Sequence, residues 1–371
     1  MKVPFIDLAP QHEGIRDELL KAMEEVLDSG SYILGPAVSL FEAAFAKMMS
    51  VPHAIGVNSG TDALLMSLKA LGISPGDEVI VPTFTFVAVA DVVARLGARP
   101  VFVDVDPLNY NMAIDSVNQA ITPKTKAIIA VHMFGQACDL AQLMQLANAH
   151  GLFLIEDVSQ AVGGRIGNKY LGTMGVTGCF SFYPTKNLGC CGDGGMIITH
   201  NDEVAERLRR YRDHGKDQHG LFQDIGYNSR LDSLQAAILR IKLEELEESI
   251  ADRVENARFY NEMLGEADIT LPEFFERGEH TYNLFTIQTE DRDGLRKFLA
   301  EREIGSAVYY DRPLHLQPCM AYLGYKEGNF PVAELLTSRV LSLPIYPGIK
   351  MKELELVAIT IHEWLAAKAV E

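Results

Sequence analysis

Three short stretches of this chain combine residue types that could do covalent chemistry on a phosphorylated ligand. The first is Ser181-Phe182-Tyr183-Pro184-Thr185-Lys186-Asn187-Leu188-Gly189, continuing to Gly192-Asp193-Gly194-Gly195. Pro184 has no N–H to give to a sheet ladder, so a strand arriving there must stop before the lysine. The glycines let backbone approach a bulky group closely and adopt positive φ. A lysine held among them is partly desolvated, which lowers its pKa and frees a nucleophilic amine. The second stretch, Glu156-Asp157-Val158-Ser159-Gln160, closes an apolar run. It puts an acid at the carboxyl end of a strand, where ligands of open α/β sheets gather. An Asp there can pair with a ring nitrogen and keep it protonated. The third, Asn58-Ser59-Gly60-Thr61-Asp62-Ala63, follows a strand and opens a helix. Unpaired N–H groups, the aligned peptide dipoles and the hydroxyls together favour a phosphate.

Taken singly, each stretch has a plainer reading: an exposed lysine beside a loop, a solvated turn, and an ordinary Ser/Thr helix cap. Their combination and order narrow the choice. A phosphate anchor, an acid for a ring nitrogen and an amine for an aldehyde carbon are what pyridoxal phosphate requires.

The elements that must position these groups alternate along the chain. Strands are predicted at 53–57, 78–81, 100–103, 127–131 and 152–155, and helices at 61–71, 87–96 and 139–150 between them. That alternation implies a mostly parallel sheet covered on both faces. Two more strands, 178–183 and 195–199, flank the lysine and its glycine-rich loop. Helices at 15–27 and 39–48 precede the sheet. One long helical pattern runs over 232–264, followed by a strand (283–288), a helix (293–301), a strand (306–309) and two helices. The expected organisation is α/β: a large ligand-binding domain over 1–250 with a helical amino-terminal segment, and a smaller α+β domain over 251–371.

Composition sets the class. With 371 residues, 48% of them hydrophobic and 22% charged, the chain can bury large cores. The formal charge of −17 disfavours nucleic acid and anionic membranes, which are held chiefly by Lys and Arg. The five cysteines are odd in number and lack metal-site spacing, so they are read as reduced thiols with no metal site. Without a secretory leader or an apolar span of membrane length, the expected compartment is the cytoplasm.

The segments NSGTDAL, GDEVIVPTFTF, VFVDVDP, FSFYPTKNLG, GDGGM and GYNSRLDSLQAAIL resemble the DegT/DnrJ/StrS family of sugar aminotransferases, and the likeness extends from Phe5 to Pro347. The resemblance implies the fold-type-I aminotransferase architecture and a homodimer with active sites shared between subunits. It implies transfer of an amino group from L-glutamate to a nucleotide-linked keto-sugar. Lys186 then bonds to the cofactor aldehyde, Asp157 binds the ring nitrogen, and Gln160 faces the ring hydroxyl. Gly60, Thr61 and Ser181 hold the phosphate, Phe86 stacks on the ring, and Asn228 reaches the phosphate from the partner subunit. Tyr32, Gly35, Tyr183, Tyr309, Tyr310 and His315 fall in segments that line the sugar pocket of relatives. Where this chain has Val158-Ser159 the family usually has two alanines. Asn228-Ser229-Arg230 resembles members that aminate carbon 3 of a dTDP-linked 6-deoxyhexose, with UDP-linked and 4-keto sugars the alternatives; the small Ser229 either changes how the sugar sits over the cofactor or only packs at the dimer contact.

Overall fold

The computed structural model describes residues 2–273 and 280–368. Its centre is a seven-stranded sheet in the order β1-β9-β8-β5-β4-β2-β3. The strands are β1 (His53–Val57), β2 (Glu78–Pro82), β3 (Arg99–Val103), β4 (Thr125–Val131), β5 (Phe153–Asp157), β8 (Thr177–Ser181) and β9 (Gly195–Thr199). A two-residue hairpin, β6 (Arg165–Ile166) with β7 (Lys169–Tyr170), lies between β5 and β8 in sequence. β9 is antiparallel to β1 and β8, while the remaining neighbours pair in parallel.

Alternate residues of each central strand feed opposite cores, which is why these strands read as unbroken apolar runs. In β4, Ala127, Ile129 and Val131 pack into one core with Val79 and Val81 of β2. Ile128 and Ala130 pack into the other with Phe41, Phe45 and Phe182. The first core takes in the helices Gly60–Ala70 and Ala88–Arg95, and the second takes in Pro36–Met49 and Leu140–His150.

The pattern read as one helix over 232–264 is two, Ser233–Glu244 and Leu246–Leu264, broken at Glu245. Charged residues favour helix on both sides of the break, so propensity did not reveal it. A third core collects Val254, Tyr260, Tyr282, Phe285, Leu295, Leu341 and Trp364, and Val3 joins it from the far end of the chain. Here β10 (Phe285–Gln288) pairs antiparallel with β11 (Val340–Leu343). The strand expected over 306–309 is reduced to a single bridge, Ala307 to Ser342. Among the described residues no helix is long and apolar enough to cross a membrane.

Candidate active site

The carboxyl ends of β1, β2, β5 and β8 and the start of β9 open on one cavity of about 650 Å³. Gly60, Thr61, Phe86, Asp157, Gln160, Ser181, Tyr183, Lys186, Tyr309 and Tyr310 all line it. Residues separated by more than a hundred positions thus meet at one edge, because parallel strands deliver their ends to the same side of the sheet.

Ser59 caps the helix Gly60–Ala70 by accepting the Asp62 N–H at 3.1 Å, which leaves the first N–H groups of the helix without an intrahelical partner. Space is tight here. A Cβ on Gly60 would lie 2.8 Å from Ser181 Cβ, and one on Gly195 would lie 2.4 Å from the Ser59 backbone. Neither Gly195 nor its neighbours Gly189, Gly192 and Gly194 has a positive φ. The loop therefore needs glycine for close approach and not for left-handed backbone, a correction to the sequence reading.

Two adjacent acids end β5, and the pleat sends them to opposite sides. Glu156 is fully buried and accepts His132 Nε2 at 3.2 Å and the N–H groups of Gly172, Met174 and Gly175 at 2.7, 2.8 and 2.6 Å. Burial alone would raise its pKa, but His132 and these N–H groups outweigh it and hold the carboxyl low. His132 takes the Cys138 N–H on Nδ1, so Nε2 carries the proton given to Glu156. Asp157 is the acid that faces the cavity. Its burial pushes the carboxyl up, opposed by the Ser159 hydroxyl and N–H and by the charges of Lys186 and His132. The Ser159 N–H reaches Oδ1 at 3.0 Å.

Lys186 sits in the turn after β8. Its N–H bonds to Tyr183 O at 2.9 Å, Asn187 Nδ2 ties the turn to Thr281 O at 3.1 Å, and Lys242 Nζ ties it to Gly189 O at 2.6 Å. Desolvation drives the Lys186 pKa down to about 8, with Asp157 pulling the other way. An amine beside a carboxylate, both desolvated, is suited to forming a covalent bond to an aldehyde and then moving protons. Gln160 spends Oε1 on the Phe134 N–H at 2.9 Å, so its NH₂ is the group left to donate, and it reaches Tyr310 Oη at 3.4 Å. Phe86 and Tyr183 are 55% and 53% exposed, large rings left open at the cavity.

A family model matches residues 13–362, that of the DegT/DnrJ/EryC1/StrS aminotransferase family. The chain belongs to this family. A Geobacillus stearothermophilus relative named pleiotropic regulatory protein is 44% identical over 98% of this chain and 99% of its own. The UDP-N-acetyl-3-dehydro-alpha-D-glucosamine 3-aminotransferase of Acidithiobacillus ferrooxidans is 44% identical over 98% of each. The dTDP-3-amino-3,4,6-trideoxy-alpha-D-glucose transaminase of Streptomyces venezuelae is 43% identical over 98% of this chain and 96% of its own. The crystal structure of S. venezuelae DesV in complex with a ketimine intermediate superposes with a TM-score of 0.95, at 43% identity and 98% coverage of both chains. The architecture is that of a fold-type-I aminotransferase.

Four residues carried over from the DegT/DnrJ/EryC1/StrS resemblance lie outside this cavity. His315 is 1% exposed, with Nδ1 on Thr83 Oγ1 at 2.8 Å and Nε2 on Glu334 Oε1 at 3.0 Å. Both nitrogens are used, so it braces the end of β2 and is not a sugar contact. Tyr32 and Gly35 are pinned to the start of the helix Ser233–Glu244, through Ser233 N to Tyr32 O at 2.9 Å and Gly35 N to Ser233 Oγ at 3.3 Å. Asn228 is exposed, with Oδ1 on Arg230 Nη2 at 2.6 Å. Ser229 is fully buried and donates to Asn58 Oδ1 at 3.1 Å, so it braces the turn that leads into the helix Gly60–Ala70. Thr85, Ser159 and Asn283 line the cavity without having been singled out as contacts. For Ser159 the signal was present: a hydroxyl where the family usually has alanine.

Proposed function

We propose that this aminotransferase uses pyridoxal 5'-phosphate to move an amino group from L-glutamate to carbon 3 of a nucleotide-linked keto-sugar, a dTDP-linked 3-keto-6-deoxyhexose being the first choice. The observation that carries the reading is the meeting of Lys186, Asp157 and the Gly60–Thr61 helix start on one cavity. These residues fit the cofactor. The Gly60 and Gly195 cradle, too tight for a Cβ, suits a phosphate, and buried Asp157 offers its carboxylate to a ring nitrogen. When bound, the cofactor supplies an aldehyde carbon and a ring that takes up electrons. Lys186 would offer its amine to that carbon and would serve as the base for the proton on the donor's α-carbon. Asp157 would hold the ring nitrogen's proton, Gln160 would donate to the ring oxygen, and Phe86 would stack on the ring.

Both enzymatic relatives named above act at position 3, one on a UDP sugar and one on a dTDP sugar. That supports the ring position more firmly than the nucleotide. The hydroxyls of Tyr183, Tyr309 and Tyr310 orient a sugar without charge. NMR of the product from a panel of nucleotide-linked keto-sugars should show the new amine on carbon 3; an amine on carbon 4 refutes this. The regulatory name of one relative favours a second reading, binding without turnover. Mixing the holoenzyme with L-glutamate separates them: a transaminase loses its yellow colour and releases 2-oxoglutarate, whereas a binder keeps both unchanged.

The depressed Lys186 pKa has a measurable sign. Its neutral, reactive form accumulates as pH rises through about 8, where an ordinary lysine stays charged. The rate at which apo-protein reacts with pyridoxal phosphate is therefore expected to climb between pH 7 and 9. A rate that is flat over this range would contradict the nucleophile assignment.

The dimer is part of the proposal. Asn228 is exposed beside a loop whose Leu221, Phe222 and Ile225 are 61%, 72% and 87% exposed, which supports a role across a subunit interface. Lys186→Ala and Asn228→Asp homodimers should each be inactive. A heterodimer of the two keeps one site with both native residues if Asn228 acts in the partner's site, and it should regain activity. Verified heterodimers that stay dead refute supply in trans. We also propose the division near residue 250, supported by a core drawn mainly from residues beyond Val254.

A further inference from the structure

One polar side chain on the cavity wall has no task in the scheme above. Asn283, just before β10, is 8% exposed and lines the cavity together with Thr185 and Lys186. Its Oδ1 is buried without a hydrogen-bond partner among the described residues. A buried amide oxygen left unpaired is costly and marks a polar group without a structural role, and the NH₂ of the same amide can donate to a ligand.

Behind it lies Arg253, 4% exposed. Its Nη1 donates to the carbonyls of Tyr282, Asn283 and Ile345 at 3.0, 3.4 and 3.3 Å, and its Nε has no partner. Among the described residues no carboxylate pairs with it. Burial alone drives its pKa down to about 10. A small pocket of about 10 Å³ is lined by Arg253 together with Ile6, Thr185 and Asn283, which also line the main cavity. A buried cation without an anion is unfavourable, so this end of the cavity attracts negative charge.

The aminotransferase reading, on which this inference rests, requires such a place. An amino-acid donor carries a carboxylate on the very carbon that must reach Lys186, and Lys186 is the sole Lys, Arg or His among the residues lining the main cavity. The helix start at Gly60 is taken by the cofactor phosphate. We propose that Asn283, with Arg253 recessed behind it, is the subsite for the carboxylate of the amino-acid donor. An amide in the wall suits a cavity that takes two substrates in turn. It donates to a carboxylate in the first half-reaction and hydrogen-bonds a neutral sugar hydroxyl in the second, whereas a guanidinium in the wall would face the sugar unpaired.

The test compares holoenzyme carrying Asn283→Leu or Asn283→Asp with the wild type, measuring each half-reaction separately. Binding of succinate, an unreactive dicarboxylate, is followed by calorimetry. Loss of a hydrogen bond to a charged group should raise the L-glutamate KM about 10-fold in the leucine variant, and like-charge repulsion should raise it further in the aspartate variant. Succinate affinity should fall in parallel, while the keto-sugar KM of the leucine variant should rise only about 2- to 3-fold, because a hydrogen bond to a neutral hydroxyl is worth less than one to a carboxylate. Unchanged donor KM in both variants, or an equal loss toward both substrates, overturns the subsite. If the wild type leaves L-glutamate and other amino acids untouched, it is the reaction assignment that fails, and succinate binding still reports whether Asn283 holds a carboxylate.

Discussion

Replacing Lys186 with alanine is expected to abolish transamination, with a loss of at least about four orders of magnitude in turnover. The residue has two tasks, and each alone is large. Proton transfer by a placed base contributes roughly 10²- to 10⁴-fold, and the covalent attachment that divides the reaction into easier steps is lost as well. The fold should survive. Among the described residues no hydrogen bond to the Lys186 ammonium supports the structure, and its turn is held by the backbone and by Asn187 and Lys242. Truncation also removes a desolvated charge, so the melting temperature should stay within about 3 °C of the wild type. Borohydride reduction of the cofactor-treated variant supplies the check. A stoichiometric reduced adduct would mean that another amine holds the cofactor.

Lys186 could be found in the sequence because its setting is local: a proline that ends a strand, then glycines. The helix start at Ser59 and the acid ending β5 were legible for the same reason, since each is a short signal at the end of an apolar run. What the sequence could not show is which way a side chain points once the sheet forms. Glu156 and Asp157 look equivalent as letters, yet the pleat buries one against four donors and turns the other to the cavity. The surroundings of His315 and Ser229 were hidden on similar grounds. Their partners Thr83, Glu334 and Asn58 are distant in the chain, and only the fold brings them together. Asn283 has no sequence signature at all. Its importance comes from partners it lacks and from a buried arginine that packs behind it.

Asp157→Asn tests the coupling between the two central groups and should produce two separable effects. The asparagine can still hydrogen-bond, and the phosphate cradle and Lys186 remain, so cofactor should be retained. Turnover should nevertheless fall about 100- to 1,000-fold, the loss typical when a preorganised electrostatic contact to developing charge is removed. A neutral amide does not keep a ring nitrogen protonated as an ion pair does. The second effect follows from Lys186. Burial lowers its pKa to about 8, and the Asp157 charge is what opposes that fall. Removing the carboxylate leaves desolvation unopposed, so the amine should lose its proton at lower pH. The pH midpoint for reaction of apo-protein with pyridoxal phosphate must then shift down, even though the variant is catalytically poor. An Asp157→Asn protein with unchanged turnover would remove the acid from the mechanism. One with low turnover and an unmoved midpoint would show that Asp157 acts on the cofactor alone, without setting the charge state of Lys186.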